Sequence, residues 1–101
     1  MSSRRPLSLQ LAPKAKNDFV HILRYTAEKW GEAQMLIYRD TLDDALQFIR
    51  KNPQLGHRRS DLPANYLAYL AGSHIIIYRV SSESIGVVRI LHERMSVPKH
   101  V

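Results

Sequence analysis

Arg79, Arg89, His92 and Arg94 are the residues in this chain whose types and spacing could do chemistry. Three guanidinium groups can neutralise a scissile phosphate, and an imidazole among them can move a proton, so the group has the outline of an RNA-cleaving site. Such a reaction needs a base, an acid and a charge clamp. Beyond His92 the chain has no tyrosine or aspartate to supply the second proton carrier. A strand-end histidine with a satisfied ring is therefore preferred to a catalytic one. A second basic group, Arg50, Lys51, Arg58 and Arg59, has no acid within it and marks Arg58 and Arg59 as a possible phosphate or carboxylate contact loop. The competing and preferred account is a solvated loop whose arginines tether back to acids of the helices. The five histidines, at positions 21, 57, 74, 92 and 100, include no i, i+3 or i, i+4 pair, and there is no cysteine, so no metal site is expected. A nucleophile elbow and a Gly-rich phosphate loop are also absent, and no cofactor is expected.

The elements that carry these residues follow from period and punctuation. Tyr66 to Ala71, His74 to Ser81 and Ile85 to Glu93 read as three β-rich runs with short links, which force antiparallel neighbours. Leu7, Leu9 and Leu11 alternate as in a half-buried first strand. From Lys14 to Trp30, Phe19, Ile22, Leu23, Thr26 and Trp30 recur at helical spacing, and Gly31 permits a left-handed close. A second helix runs from Glu32 to about Lys51 with Tyr38, Leu42, Ala45, Leu46 and Ile49 inward, until Asn52-Pro53 stops it. The link at Gly31 makes the two helices an antiparallel hairpin. The expected fold class is α+β, in two layers, with the helical hairpin on the sheet.

In the last two strands, odd and even positions alike are apolar, so one sheet face needs the helices and the other calls for a partner polypeptide. Strand register decides where the arginines point. The favoured register pairs odd with odd, placing Arg79 and Arg89 beside Ile75, Ile77, Val87 and Leu91, with Ile76, Tyr78, Val80, Val88 and Ile90 opposite; a one-residue slip would separate the arginines. The tail from Arg94 to Val101 has no period and is read as mobile.

A length of 101 residues suits one domain with one core. The net charge of +6 implies an acidic counterpart, nucleic acid or protein, unless it serves solubility alone. Seven of the nine acids lie at or before Asp61, which leaves the sheet as the basic end. With neither a long apolar run nor a secretory pattern, a cytoplasmic protein without membrane contact is expected.

The strings YTAEKWG (Tyr25 to Gly31), NPQLGHR (Asn52 to Arg58), SHIIIYRV (Ser73 to Val80) and VVRILHERM (Val87 to Met95) resemble ParE toxins of the RelE/ParE superfamily, in order and over nearly the whole chain. The resemblance implies a β-α-α-β-β-β fold, a four-stranded, mainly antiparallel sheet with the first strand beside the last. It also implies a type II toxin that stalls DNA gyrase and is neutralised by a ParD-like antitoxin with an acidic helical tail. By motif, Tyr78, Arg79, Arg89, Leu91, His92, Arg94 and Met95 are the expected antitoxin or target contacts, with no sequence-specific DNA binding by this chain alone. The rival within the superfamily is a RelE-like, ribosome-dependent messenger endoribonuclease. The ending MSVPKHV lacks the tyrosine such enzymes generally carry near the C-terminus, which argues for a toxin that is not an enzyme. A nucleic-acid-binding domain without toxicity would explain the charge but not a second apolar sheet face.

Overall fold

A computed structural model describes residues 7–101; the basic start read from Ser2 to Arg5 lies outside them. The chain runs β1 (Ser8–Leu11), α1 (Pro13–Trp30), α2 (Glu32–Lys51), β2 (Tyr66–Ala71), β3 (His74–Val80) and β4 (Ser84–His92), with short 3-10 turns at Pro53–Leu55 and Val97–Lys99. Pro13 opens α1, where its missing N–H costs no hydrogen bond. Gly31 ends α1 and precedes α2 at φ 96°, a backbone state that side chains with a Cβ disfavour. The whole helix–helix link is thus one residue, and it folds the pair into a hairpin.

The sheet order is β1-β4-β3-β2. The β2–β3 and β3–β4 pairs are antiparallel, while β1 lies parallel to β4, so the sheet is mixed at one edge. The hairpin makes that parallel crossover possible. At the other edge, His57 forms an isolated antiparallel bridge with Ala68, exchanging hydrogen bonds of 2.8 and 2.9 Å, which covers part of an otherwise open strand. Gly72 turns β2 into β3 at φ 60°, and a Cβ there would come within 2.8 Å of the Tyr38 ring.

The main core lies between hairpin and sheet. Ala15, Leu42, Ala45, Leu46 and Ile49 meet Ala71, Ile76, Tyr78, Ile85, Val87 and Ile90, flanked by Leu9, Leu11, Phe19 and Ile22. Trp30 does not join this inner stripe; it is 66% exposed.

The register on β4 is broken once. Ile77 pairs with Arg89, but Tyr78 pairs with Val87, so Val88 is an extra residue between them. Arg79 and Arg89 do lie on the Ile75 and Ile77 face. The bulge exchanges their expected neighbours: Val87 turns into the helix-side core, and Val88 joins the opposite face.

That opposite face does not stand open. Leu62 from the β2 approach and Val97 from the tail bury against Ala68, Ile75, Ile77 and Leu91, with Val97 only 2% exposed. The expectation of a bare apolar face and a mobile tail is therefore corrected: the chain roofs much of this face itself, with one plug from each side.

Candidate functional site

Of the expected contact residues, Tyr78 and Leu91 are buried in the two cores. The Tyr78 hydroxyl accepts the Gly56 N–H at 2.8 Å and donates to the Pro53 carbonyl at 2.9 Å, which pins the turn after α2 to the sheet. Burial raises its pKa above the ordinary tyrosine value. Neither side chain is presented to a partner as the chain stands.

Arg89 is similarly committed. Its guanidinium donates to both carboxylate oxygens of Asp18, at 2.7 and 2.9 Å, and to the His100 carbonyl at 2.6 Å. Asp18 also accepts the Ile90 N–H at 3.0 Å, where β1 has ended and the β4 edge needs a partner. The Asp18 hydrogen bonds hold the Arg89 pKa above its ordinary value. This cluster joins α1, β4 and the tail, and its arginine is a structural clamp.

The loop arginines are also engaged. Arg59 makes a two-pronged pair with Asp61 at 2.8 and 2.6 Å, and Arg58 donates to the Ala64 carbonyl at 2.9 Å. The tether is to the loop's own acid and backbone, not to the helices.

Arg79, Arg94 and Met95 remain exposed, and His92 is half-buried. Arg79 and Arg94 enter none of the ion pairs among the described residues. They do not converge. His92 pairs across the sheet with His74, five residues along β3 from Arg79, a separation of roughly 16 Å at strand spacing. The four residues of the RNA-cleaving hypothesis are thus split between two ends of the sheet, with Arg89 neutralised between them.

A cleft of about 560 Å³ lies around His92, lined by Ile22, Tyr25, Thr26 and Trp30 of α1, Gln34 and Tyr38 of α2, and Ser73, His74 and His92 of the sheet. Tyr38 organises its floor: the hydroxyl accepts the Ser73 N–H at 3.0 Å and lies 2.5 Å from His74 Nδ1. The rings of His74 and His92 meet edge to face with centroids 5.2 Å apart. Burial, and then the proximity of His92, lowers the His74 pKa to about 4, so its ring is neutral at neutral pH. Sequence reasoning did not single out Tyr25, Trp30, Tyr38 or His74 as site residues. The signal available was Trp30 itself, a large aromatic at the last position before the Gly31 break.

Among the described residues no group of three or more His, Cys, Asp or Glu could hold a metal ion, and no helix is long and apolar enough to cross a membrane.

The family described as ParE toxin of type II toxin-antitoxin system, parDE, matches residues 9–97. Toxin ParE1 of Mycobacterium tuberculosis (strain ATCC 25618 / H37Rv) is 36% identical over 102 residues, covering 100% of both chains. Toxin ParE1 of Caulobacter vibrioides is 30% identical over 92 residues, covering 91% of this chain and 95% of the relative. Among solved structures, a chain of the chromosomal ParDE system from P. aeruginosa superposes with a TM-score of 0.74 at 17% identity, over 85% of this chain and 95% of that one. The YoeB dimer from Staphylococcus aureus gives a TM-score of 0.62 at 16% identity, over 87% and 98% respectively. These two likenesses establish the shared fold, and the family match with its two ParE1 relatives establishes more: the chain belongs to the ParE toxins of type II toxin–antitoxin systems.

Proposed function

We propose that this toxin acts by stalling DNA gyrase, without cleaving RNA, and that a ParD-like antitoxin neutralises it. The observation that carries the reading is the dispersal of Arg79, Arg89, His92 and Arg94: acid–base catalysis needs proton carriers and a charge clamp within hydrogen-bond reach of one scissile group. Here one arginine is spent on Asp18 and another lies at the far end of the sheet from His92. His92 Nδ1 accepts the Arg94 backbone N–H at 3.1 Å, which leaves that nitrogen without a free lone pair for use as a base. The ParE relatives supply the rest of the support, and the net charge of +6 suits an acidic antitoxin segment.

The test is direct. Purified protein should block gyrase supercoiling and leave ribosome-bound messenger uncut. Messenger cleavage that disappears in His92→Ala would replace this reading with the ribonuclease one. Arg79→Ala should weaken antitoxin binding, because its guanidinium is exposed and uncompensated; an unchanged dissociation constant would remove Arg79 from the interface.

A further inference from the structure

A second cavity, of about 430 Å³, opens at the far end of β2 and β3 from the cleft, beside the turn that follows α2. Val80 on its floor lies six residues along β3 from His74, roughly 20 Å at strand spacing. The loop from α2 to β2 builds the walls, and the sheet holds that loop at two points: the Tyr78 hydroxyl takes the Gly56 N–H, and His57 exchanges two backbone hydrogen bonds with Ala68. Arg58 crosses the loop to donate to the Ala64 carbonyl at 2.9 Å, so its guanidinium is set before any ligand arrives. That contact spends a single N–H of a group rich in donors, and no carboxylate lines the cavity. Asp61, the loop's own acid, is taken by Arg59. Gln54 and Asn65 add two carboxamides; unlike those of Gln47 and Asn52, neither is hydrogen-bonded among the described residues. Leu67 and the exposed Val80 supply an apolar floor. The charges that frame the cavity, from the last turn of α2 through the loop and from Arg79 through the turn after β3, are Arg50, Lys51, Arg58, Arg59 and Arg79 against Asp61 and Glu83, a clear cationic excess.

The geometry points to a seat for one nucleotide of a single-stranded nucleic acid, with its phosphate on Arg58, its base packed on Leu67 and Val80, and the base edge hydrogen-bonded by Gln54 and Asn65. The volume exceeds the needs of an inorganic anion and falls in the range of small-molecule sites. A fixed guanidinium fork suits the paired oxygens of a phosphate. Carboxamides beside an apolar floor suit a base that has left its stack, since each amide donates and accepts at once. A duplex fits less well, because its stacked and paired bases leave the floor and the amides unused. A toxin that stalls an enzyme on DNA gains a hold on the strand from such a seat, but the assignment stands without that reading.

The probe is a fluorescein-labelled oligothymidylate of about ten nucleotides, titrated with the intact toxin and read by anisotropy with no gyrase present. Binding should saturate. Arg58→Gln, which keeps a donor for Ala64, should weaken it about tenfold and flatten the plot of log affinity against log salt by about 0.7, the loss of one single-strand phosphate contact. Gln54→Ala and Asn65→Ala, both at exposed positions, should each weaken binding and leave that slope unchanged. Lys16→Ala, exposed on α1, should change affinity far less than Arg58→Gln does. Thymidine monophosphate should displace the strand at concentrations about tenfold below those of inorganic phosphate. Oligouridylate competing equally would support the seat and show indifference to the sugar. Phosphate competing as well as the mononucleotide, duplex DNA competing better than the single strand, or equal losses in Lys16→Ala and Arg58→Gln would overturn the assignment. Gyrase inhibition is measured separately, so failure of either result leaves the other standing.

Discussion

At the scale of single residues, the polar groups that matter most are those that satisfy a backbone or a charge far away in sequence. Arg89 and Asp18 have side chains only 15% and 14% exposed, so removing either leaves the other charge poorly solvated. Arg89→Met should cost about 2–3 kcal/mol of stability, read from the urea midpoint, and the double variant with Asp18→Leu should recover part of it. Tyr78→Phe removes an acceptor from Gly56 and a donor from Pro53, and should cost about 1–3 kcal/mol in the same assay. Gly56→Ala should also destabilise, since a Cβ there runs into the Tyr78 hydroxyl and comes within 2.8 Å of Leu67. His74 gives a pH signature. Its folded pKa of about 4 lies below the value of about 6.5 for a free imidazole, so the unfolded chain binds more protons between them. The contribution is present above pH ~6.5 and is lost as pH falls toward 4. Denaturation midpoints of the native protein should drop across that window, and those of His74→Gln should drop less.

At the scale of elements, the strand and helix ranges were legible because each is bounded by a local signal: Pro13, Gly31, Asn52-Pro53 and Gly72-Ser73. Helical spacing correctly identified Tyr38, Leu42, Ala45, Leu46 and Ile49 as inward. The spacing failed at Trp30, because its ring lines the open cleft beside Ser73, His74 and His92 instead of packing into the core. Alternation failed at Val87 and Val88, since two adjacent valines carry no mark of which one is the bulge. The tail could not be read at all. Val97 is a lone apolar residue ahead of a proline, and its partners Ile75, Ile77 and Leu91 come from strands already accounted for. Val97→Ala should cost about 2 kcal/mol, and hydrogen exchange should quicken in the final turn more than in α1 or α2. Uniform acceleration across the chain would mean that the tail is no separate strap.

At the scale of the molecule, two small cores share one sheet, and the fold class followed from element order alone. The site did not follow, because its chemistry depends on pairings across 71 residues, as between Arg89 and Asp18, that no local pattern announces. The cationic platform expected from the sequence therefore has fewer free cations than its arginine count suggests, and the exposed aromatics Tyr25 and Trp30 lie on the last turns of α1. The bulge at Val88 decides where β4 can change length. Because Val88 is the extra residue, a chain without it would run Val87, Arg89 and Ile90 opposite Tyr78, Ile77 and Ile76 in one unbroken alternation, whereas a chain without Ile90, its end still paired at His74 and Ile75, would bring Arg89 opposite Ile76 on the helix side. One codon can therefore be lost from this strand at the bulge without turning any other side chain over, while the same loss at Ile90 should abolish folding by driving a guanidinium into the core.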